Sequence, residues 1–215
     1  MAKLDLPPTK STYLSLGRQL EFAEEGYDLL EQKRQILVFE LMSRLGRARD
    51  AERRVAEALA PAHDALREAA LAVGSDAVDR AGIGVRFDHE IKVDEQGVMG
   101  IRLPEVSART ERAGVQFGIG GTSAHADEAM RRFIEALPLL AELAELENAV
   151  LRLARELRKT QRRVNALSKL FIPDYTDTLK YIEETLEERE REAFIIMKMV
   201  KQRLAAEAEG SVGHG

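Results

Sequence analysis

The sequence contains no cysteine and no tryptophan, and aromatic residues make up only 5% of it. The lack of cysteine excludes disulfides, thiolate metal sites and a cysteine nucleophile, and it fits an intracellular protein. With few large rings and 32% charged residues, a deep globular core is hard to assemble. A narrow seam between two helices needs only Leu, Ala, Val and Ile, so the composition favours long helices over a globular domain.

Long apolar runs are also missing. No run approaches the roughly 20 residues that a membrane-spanning helix needs, and the N-terminus lacks the apolar block of a signal peptide. We therefore expect a soluble protein without direct membrane insertion, which reaches a membrane only through partners. The net charge of -5 argues against a general nucleic-acid-binding protein.

The first half of the chain has the pattern of one long helix over residues 12–73, with Thr9 or Ser11 as its N-cap. Apolar positions alternate in steps of four and three, which is typical of a coiled-coil seam. The first stretch of this seam is Leu16, Leu20, Ala23, Tyr27, Leu30, Arg34, Leu37 and Leu41. After a stutter at Leu45, the seam is predicted to continue through Ala48, Glu52, Val55, Leu59, Ala62 and Leu66. Pro61 predicts a kink or a helix boundary near Ala60.

The middle of the chain has the pattern of a β-hairpin over residues 83–103. Apolar and polar residues alternate from Ile83 to Val93, Asp94–Gly97 forms a turn cluster, and Val98–Leu103 can return as a second strand before Pro104. Residues 104–124 are predicted to be a loop. Its glycine-rich part, Gly114–Ser123, lacks the lysine of a phosphate-binding loop and is interpreted as a connector.

The second helical half is predicted over residues 125–206, with Ser123 as N-cap and an interruption near Pro173. Its seam before the proline is Leu139, Leu143, Leu146, Val150, Leu153, Leu157, Thr160, Val164, Leu167 and Phe171. Beyond the proline the stripe continues through Leu179, Ile182, Leu186, Arg189, Ala193, Ile196 and Val200. Residues 207–215 are polar and glycine-rich and are predicted to be a disordered tail.

Two helical segments of similar length around a compact hairpin most simply fold back on each other. The predicted fold class is therefore all-α dominated: one elongated domain over residues 1–215, built as a long antiparallel two-helix coiled coil with a small central β-hairpin. A helix of about 60 residues rises about 1.5 Å per residue, so the rod would be on the order of 90 Å long.

Two sequence blocks carry a resemblance to a known family. The first consists of Pro8-Thr9-Lys10, Leu14, Arg18-Gln19-Leu20, Ala23, Gly26, Leu29-Leu30, Lys33-Arg34 and Leu37. The second consists of Arg162-Arg163-Val164-Asn165-Ala166-Leu167, Ile172-Pro173, Ile182, the run from Leu186 to Glu192, Lys198 and Lys201. Both blocks, in this order around a hairpin, resemble the D subunit of the V/A-type rotary ATPases and their vacuolar relatives. Together they cover roughly half the chain, and Ser168 stands where the family usually has an acidic residue.

The resemblance implies a mechanical role. In this family the paired terminal helices form a central shaft that transmits torque between the nucleotide-binding ring and the ion-translocating membrane sector, with no catalytic residues, cofactor or metal of its own. The implied partners are the F subunit of the central stalk, the alternating A and B subunits of the ring, and the socket subunit, C or d, above the membrane rotor. The implied location is cytoplasmic, peripheral on the inner face of the plasma membrane. The predicted tip and seam residues are Thr9, Lys10, Leu16, Leu20, Leu30, Ile182, Leu186, Ile196 and Val200.

Two other functions are compatible with long helices. A free-standing coiled-coil scaffold or tether would need the same heptads and remains the alternative. An enzyme built on a helical bundle would need inward-facing paired carboxylates or Glu-x-x-His motifs, and neither appears in the sequence.

Basic residues are concentrated in two stretches, which predicts a partner-binding girdle if the two helices pair at similar heights. The predicted partner-binding residues are Arg152, Arg155, Arg158, Lys159, Arg162, Arg163, Arg47, Arg53 and Arg54. The alternative is a solvated face that only keeps the protein soluble. The acidic stretch Glu183–Glu192 contains interleaved arginines, so we interpret it as helix-stabilising pairs rather than a metal site.

Overall fold

The computed structural model describes residues 6–83, 85, 89–110 and 122–212. The helices are α1 (Lys10–Val73), α2 (Ser75–Ile83), α3 (Ala124–Ala166) and α4 (Ile172–Val212), with a π-helical turn at Leu167–Phe171, and the strands are β1 (Glu90–Val98) and β2 (Ile101–Arg109). The helix-dominated fold with a long helix pair and a two-stranded hairpin is confirmed. The chain divides into two compact units, a terminal unit of residues 1–32 and 160–215 and a central unit of residues 33–159.

Helix α1 begins where the sequence provides a cap. The Thr9 hydroxyl accepts a hydrogen bond from the Thr12 backbone N–H at 3.2 Å, which satisfies one of the free donors of the first turn. The helix is not divided at Pro61, contrary to the boundary considered from the sequence, and it continues for 64 residues. Ala62, directly after the proline, is fully buried, so the helix is packed against its surroundings at the point where one ladder bond is lost. Gly74, with φ of 86°, ends the helix.

In the terminal unit, the first part of α1 packs antiparallel to the first part of α4. Leu16 and Ile182 are fully buried, and Arg189 donates a hydrogen bond to the Pro8 carbonyl at 3.0 Å. Further along α1, Leu30 and Leu167 line one groove between the two helical segments. Residue numbers rise on one helix as they fall on the other, as the antiparallel prediction requires.

The predicted interruption near Pro173 takes the form of a π-helical turn. The Ile172 backbone N–H donates to the Leu167 carbonyl, five residues back, and the π turn occupies Leu167–Phe171. Because Pro173 has no N–H, the ladder already lacks one bond at this point, and a wide turn is easier to accommodate there.

In the central unit, the buried stripe of α1 differs from the predicted seam near residues 51 and 65, and it continues to Ala69, beyond the predicted end at Leu66. Ala51 and Ala65 are buried, whereas the predicted Glu52 is exposed and Leu66 retains 37% of its accessible surface. The buried stripe is Leu37, Ala48, Ala51, Val55, Ala62, Ala65 and Ala69, and the buried alanines of α3 are Ala126, Ala129, Ala136, Ala141 and Ala149. Small side chains on both helices allow close backbone approach, which a seam of longer residues would prevent. The seam was predicted wrongly here because regular spacing favoured Glu52, and size favoured Leu66, over the neighbouring alanines.

The hairpin lies further along the chain than predicted. Its turn is formed by Met99 and Gly100, with φ of 51° and 79°, and not by Asp94–Gly97. A type I′ turn, which matches the twist of antiparallel strands, needs positive φ at both central positions, and Gly100 meets this without strain. This turn pairs Val98 with Ile101, so the second strand continues through Pro104 to Arg109, where a loop was predicted.

Pro104 is tolerated inside β2 because its backbone nitrogen faces away from β1. Backbone groups in antiparallel strands alternate between the partner strand and the outside. The residues two positions before and after Pro104 form hydrogen bonds on the side away from β1. The Arg102 carbonyl accepts one from Arg152 at 2.7 Å, and the Val106 N–H donates one to Glu145 at 2.8 Å. The nitrogen of Pro104 points to the same side, so the proline removes no hydrogen bond from the β1–β2 ladder.

The hairpin is held on the helices by both polar and apolar contacts. Glu145 and Arg152, which bond the outer edge of β2, are one heptad apart and so lie on the same face of α3. Leu103 is buried in a cluster with Leu37, Ala149 and Leu153. The hairpin is therefore an integral part of the central unit.

The connecting and terminal segments include one helix that was not predicted and two segments that were. Helix α2 was not predicted, because Gly74, Gly82 and Gly84 were interpreted as the end of helical structure. The glycine-rich connector lies outside the described residues except for its last two, Thr122 and Ser123. The predicted tail begins inside α4, which extends to Val212, and residues 213–215 lie outside the described part of the chain.

Candidate partner-binding surfaces

The C-terminal part of α4 carries a concentration of exposed apolar side chains. We call it the apolar tip, and it consists of Phe194, Ile195, Ile196, Met197, Met199, Val200 and Leu204. Each of the seven is at least half exposed, and they lie on all sides of the helix. A helix that is apolar all round is normally covered by another protein or by lipid, because so much exposed apolar surface is unfavourable in water.

The apolar tip lies beyond the point where α1 can pack against α4. Helix α1 begins at Lys10, whose ammonium lies 3.9 Å from the Glu190 carboxylate. From Glu187 to Leu204, every residue of α4 is exposed to solvent. Among the described residues, none covers this part of the helix, so its apolar surface is available to a partner.

The predicted tip and seam residues occupy three environments in the terminal unit. Leu16 and Ile182 are buried, Leu20, Leu30 and Leu186 are half-buried, and Thr9, Lys10, Ile196 and Val200 are exposed. The exposed apolar pair Ile196 and Val200 belongs to the apolar tip. The predicted stripe therefore changes along α4 from a packed seam to a free surface.

The predicted partner-binding residues of α3 fall into two groups. Arg152 is engaged by the hairpin, through the Arg102 carbonyl and the Glu95 carboxylate at 3.8 Å, and Lys159 lies 4.0 Å from Glu156. The others have no ion pair within the described residues: Arg155, Arg158, Arg162 and Arg163. Only the second group is available to an acidic partner.

The basic residues of α1 are largely neutralised by acidic neighbours. Arg53 lies 3.3 Å from Asp50, and Arg54 lies 2.8 Å from Glu142 of α3. The hydrogen bond to Glu142 and its negative charge raise the pKa of Arg54 above its ordinary value. Arg47 is exposed.

Ion pairs between the helices also determine the height of the basic stretches in the central unit. Glu142 faces Arg54, and Glu156 faces Lys33 at 3.4 Å. The basic stretch of α1 therefore lies opposite residues 142–152, and Arg155 and Arg158 lie opposite earlier residues of α1. Within the central unit, the two stretches are therefore offset along the helices.

A groove of about 540 Å³ in the terminal unit was not anticipated from the sequence. Arg18, Phe22 and Leu30 of α1 line it on one side, and Phe171 and Tyr175 line it on the other. Gly26 also borders it, and a Cβ atom there would meet nothing within 4 Å. The π-helical turn exposes Phe171 at the edge of this groove, and π turns are not visible in a heptad pattern.

Neither a metal site nor a membrane-spanning helix is present within the described ranges. No group of three or more His, Asp or Glu side chains there has the arrangement of a metal site. No described helix is both long enough and apolar enough to cross a membrane.

Comparison with known proteins then identifies the family. The family model described as the D subunit of ATP synthase matches residues 12–202. The chain belongs to the ATP synthase D-subunit family. The match includes the seams of both units, the hairpin and most of the apolar tip, so the features described above lie within the family's common region.

Curated relatives of the D-subunit family match over nearly their whole length. The V-type ATP synthase D subunit of Thermotoga neapolitana is 36% identical over 202 residues, which cover 94% of this chain and 100% of the relative. The A-type ATP synthase D subunit of Methanosphaera stadtmanae is 36% identical over 94% of this chain and 96% of the relative. That of Methanopyrus kandleri is 37% identical over 92% and 86%.

Proposed function

We propose that this chain is the central rotor shaft of a V/A-type ATP synthase, a non-catalytic component that transmits torque between the nucleotide-binding ring and the ion-translocating membrane sector. Membership of the D-subunit family supports its place in such a complex. The apolar tip is the main support for the mechanical role. The end of a rotating shaft must be held by its surroundings without polar contacts that fix it at one rotational position.

An apolar surface suits a bearing for a physical reason. Hydrogen bonds and ion pairs are directional and hold two surfaces in one register, whereas apolar contact is non-directional. The tip has seven large apolar residues in a short length of helix, interrupted by Lys198 and by Lys201, Gln202 and Arg203. A sleeve of ring subunits could bury this surface at every rotational position.

The interior of each unit suits a shaft that must carry torque. In the central unit, alanines on α1 and α3 are buried along both helices, and the Arg54–Glu142 ion pair joins them. In the terminal unit, Leu16 and Ile182 are buried between antiparallel segments. Close-packed protein interiors have low compressibility and transmit strain, so these seams favour stiffness.

The family resemblance gives the proposed partners. The A and B subunits of the ring would surround the apolar tip, the F subunit would bind the side of the shaft, and a socket subunit, C or d, would couple it to the membrane rotor. The chain itself would be cytoplasmic and peripheral. Arg155, Arg158, Arg162 and Arg163 are available for acidic residues of these partners.

Polar substitution of the apolar tip tests the proposal. In the double variant Ile196→Gln, Val200→Gln, both positions are at least half exposed in the isolated chain, so helix content and stability should change little. Assembly with co-expressed ring subunits should weaken about tenfold or more, because burial of each large apolar side chain contributes about 1.5–3 kcal/mol. Assembly is measured by titration of the purified chain into the ring.

The variant Lys198→Gln is the matched control, since it changes a polar residue within the same segment. It should assemble like the unchanged chain. Equal assembly of the double variant and the control would refute a buried tip and would favour a scaffold that binds elsewhere.

A further inference from the structure

We propose that the outer edge of β1 is a docking site for an extended segment of a neighbouring subunit, which adds to the hairpin as a third strand. The segment would alternate apolar and basic side chains. This inference rests on the proposed function, because the partner is a subunit of the assembled complex.

The first argument comes from the direction of the backbone groups. Arg102 and Val106 of β2 bond outward to α3, and their partners on β1 are Gly97 and Val93. In an antiparallel ladder both members of such a pair point their N–H and C=O away from each other. The alternate residues of β1 from Ile91 to Gly97 therefore present a row of outward backbone groups, and no described residue pairs with it.

The two outer edges of the hairpin differ in whether their backbone groups have hydrogen-bond partners. Glu145 and Arg152 satisfy the outer edge of β2, and Pro104 removes a donor from it. Strand β1 has nine residues, and it contains no proline and no bulge. Open edges of this length are usually protected, because they offer a template for another strand.

Side chains on β1 indicate what the added strand would carry on one face. Ile91 and Val93 are more than 60% exposed, and they lie on the same face because side chains alternate along a strand. Their partners on β2 are Ala108 and Val106. An added strand with apolar residues on this face would bury both exposed side chains.

The opposite face carries an uncompensated negative charge. Asp94 lies directly across from Glu105 in the ladder, and like charges at this position are destabilising. The other carboxylates of β1 are engaged, Glu90 by Lys92 at 3.6 Å and Glu95 by Arg102 at 3.6 Å. No ion pair is formed by Asp94 within the described residues, so a lysine or arginine on the added strand would complement the Asp94–Glu105 pair.

Amide exchange on the assembled complex tests the proposal. In the isolated chain, the outward amides of Ile91 and Glu95 should exchange quickly, whereas the inward amides of Asp94 and Gln96 should be protected. In the complex purified with its ring and stalk subunits, hydrogen exchange of the outward amides should slow by about tenfold or more, because each amide gains a backbone hydrogen bond.

The variant Val93→Pro blocks the edge without removing a β1–β2 bond, as Pro104 does on the other strand. It should leave Asp94 and Gln96 protected and abolish the slowing at Ile91 and Glu95. The control Val93→Ile keeps the N–H and the apolar side chain, and it should behave like the unchanged chain.

Other outcomes overturn the inference. Protection of the outward amides in the isolated chain would mean that another segment of this chain covers the edge, and protection that rises with protein concentration would mean a second copy. Fast exchange of these amides in a fully assembled complex would refute strand addition and leave the shaft function standing. Failure of the complex to form would refute the proposed function and this inference with it.

Discussion

Leu153 offers the sharpest test of how the hairpin is held on the helices. Its side chain is fully buried in the central unit, against Leu37 of α1, Leu103 of β2 and Ala149 of its own helix. The substitution Leu153→Ala removes three carbon atoms from a site where two helices and a strand meet. Such substitutions cost about 2–5 kcal/mol through lost burial and the remaining cavity. We expect about 3 kcal/mol, because three different elements must move to fill the space.

The assay is urea denaturation followed by far-UV circular dichroism. Leu151→Ala is the matched control, because Leu151 is two residues away on the same helix and 53% exposed. It should cost less than about 1 kcal/mol. Equal losses for the two variants, or a loss below about 1 kcal/mol for Leu153→Ala, would show that the cluster does not hold the hairpin as described.

Two further substitutions test the seam and the polar clamp. Ala51→Leu should destabilise the central unit by about 1–3 kcal/mol, because Ala51 is 1% exposed and packs in a cluster with Leu146 of α3. Ala56→Leu, at an exposed position, should change the unfolding free energy by about 0.5 kcal/mol or less. Urea denaturation measures both, and equal effects would contradict the close alanine seam. Glu145→Ala should cost about 1.5–3 kcal/mol and speed exchange of the Val106 amide, because that N–H loses a charged acceptor at 2.8 Å; unchanged exchange would contradict the clamp.

The long helices could be predicted from the sequence because heptad spacing is a property of the chain itself. Leu16, Leu37, Leu153 and Ile182 were predicted in the seams and are fully buried. The interruption near Pro173 could also be predicted, since a missing N–H acts locally. Its form as a π turn could not, because that depends on how α4 packs in the terminal unit.

The hairpin register and the alanine seam were predicted wrongly for reasons of tertiary structure. The Asp94–Gly97 cluster has turn-forming composition, but a turn at Gly100 brings Leu103 into the core cluster. Ala51 was passed over because a heptad search favours large residues, whereas a close helix pair requires small ones. In both cases packing between elements decided between local alternatives.

The candidate surfaces were predicted in part. Ile196 and Val200 were named from the continuing stripe, but their exposure follows from α1 beginning at Lys10, which a periodic pattern does not reveal. The basic residues were named as one set. Their division into engaged and available groups depends on which acidic residue each one meets across the helix pair, as with Arg54 and Glu142.

Rotation of this chain within the assembled complex is the most direct test of the central claim. The sequence has no cysteine, so Ala56→Cys at an exposed position of α1 provides a single site for a fluorescent or bead label. With the nucleotide-binding ring fixed to a surface, the label should turn in one direction when ATP is added and stop when ATP is removed. A label that stays fixed relative to the ring during ATP hydrolysis would contradict the shaft function.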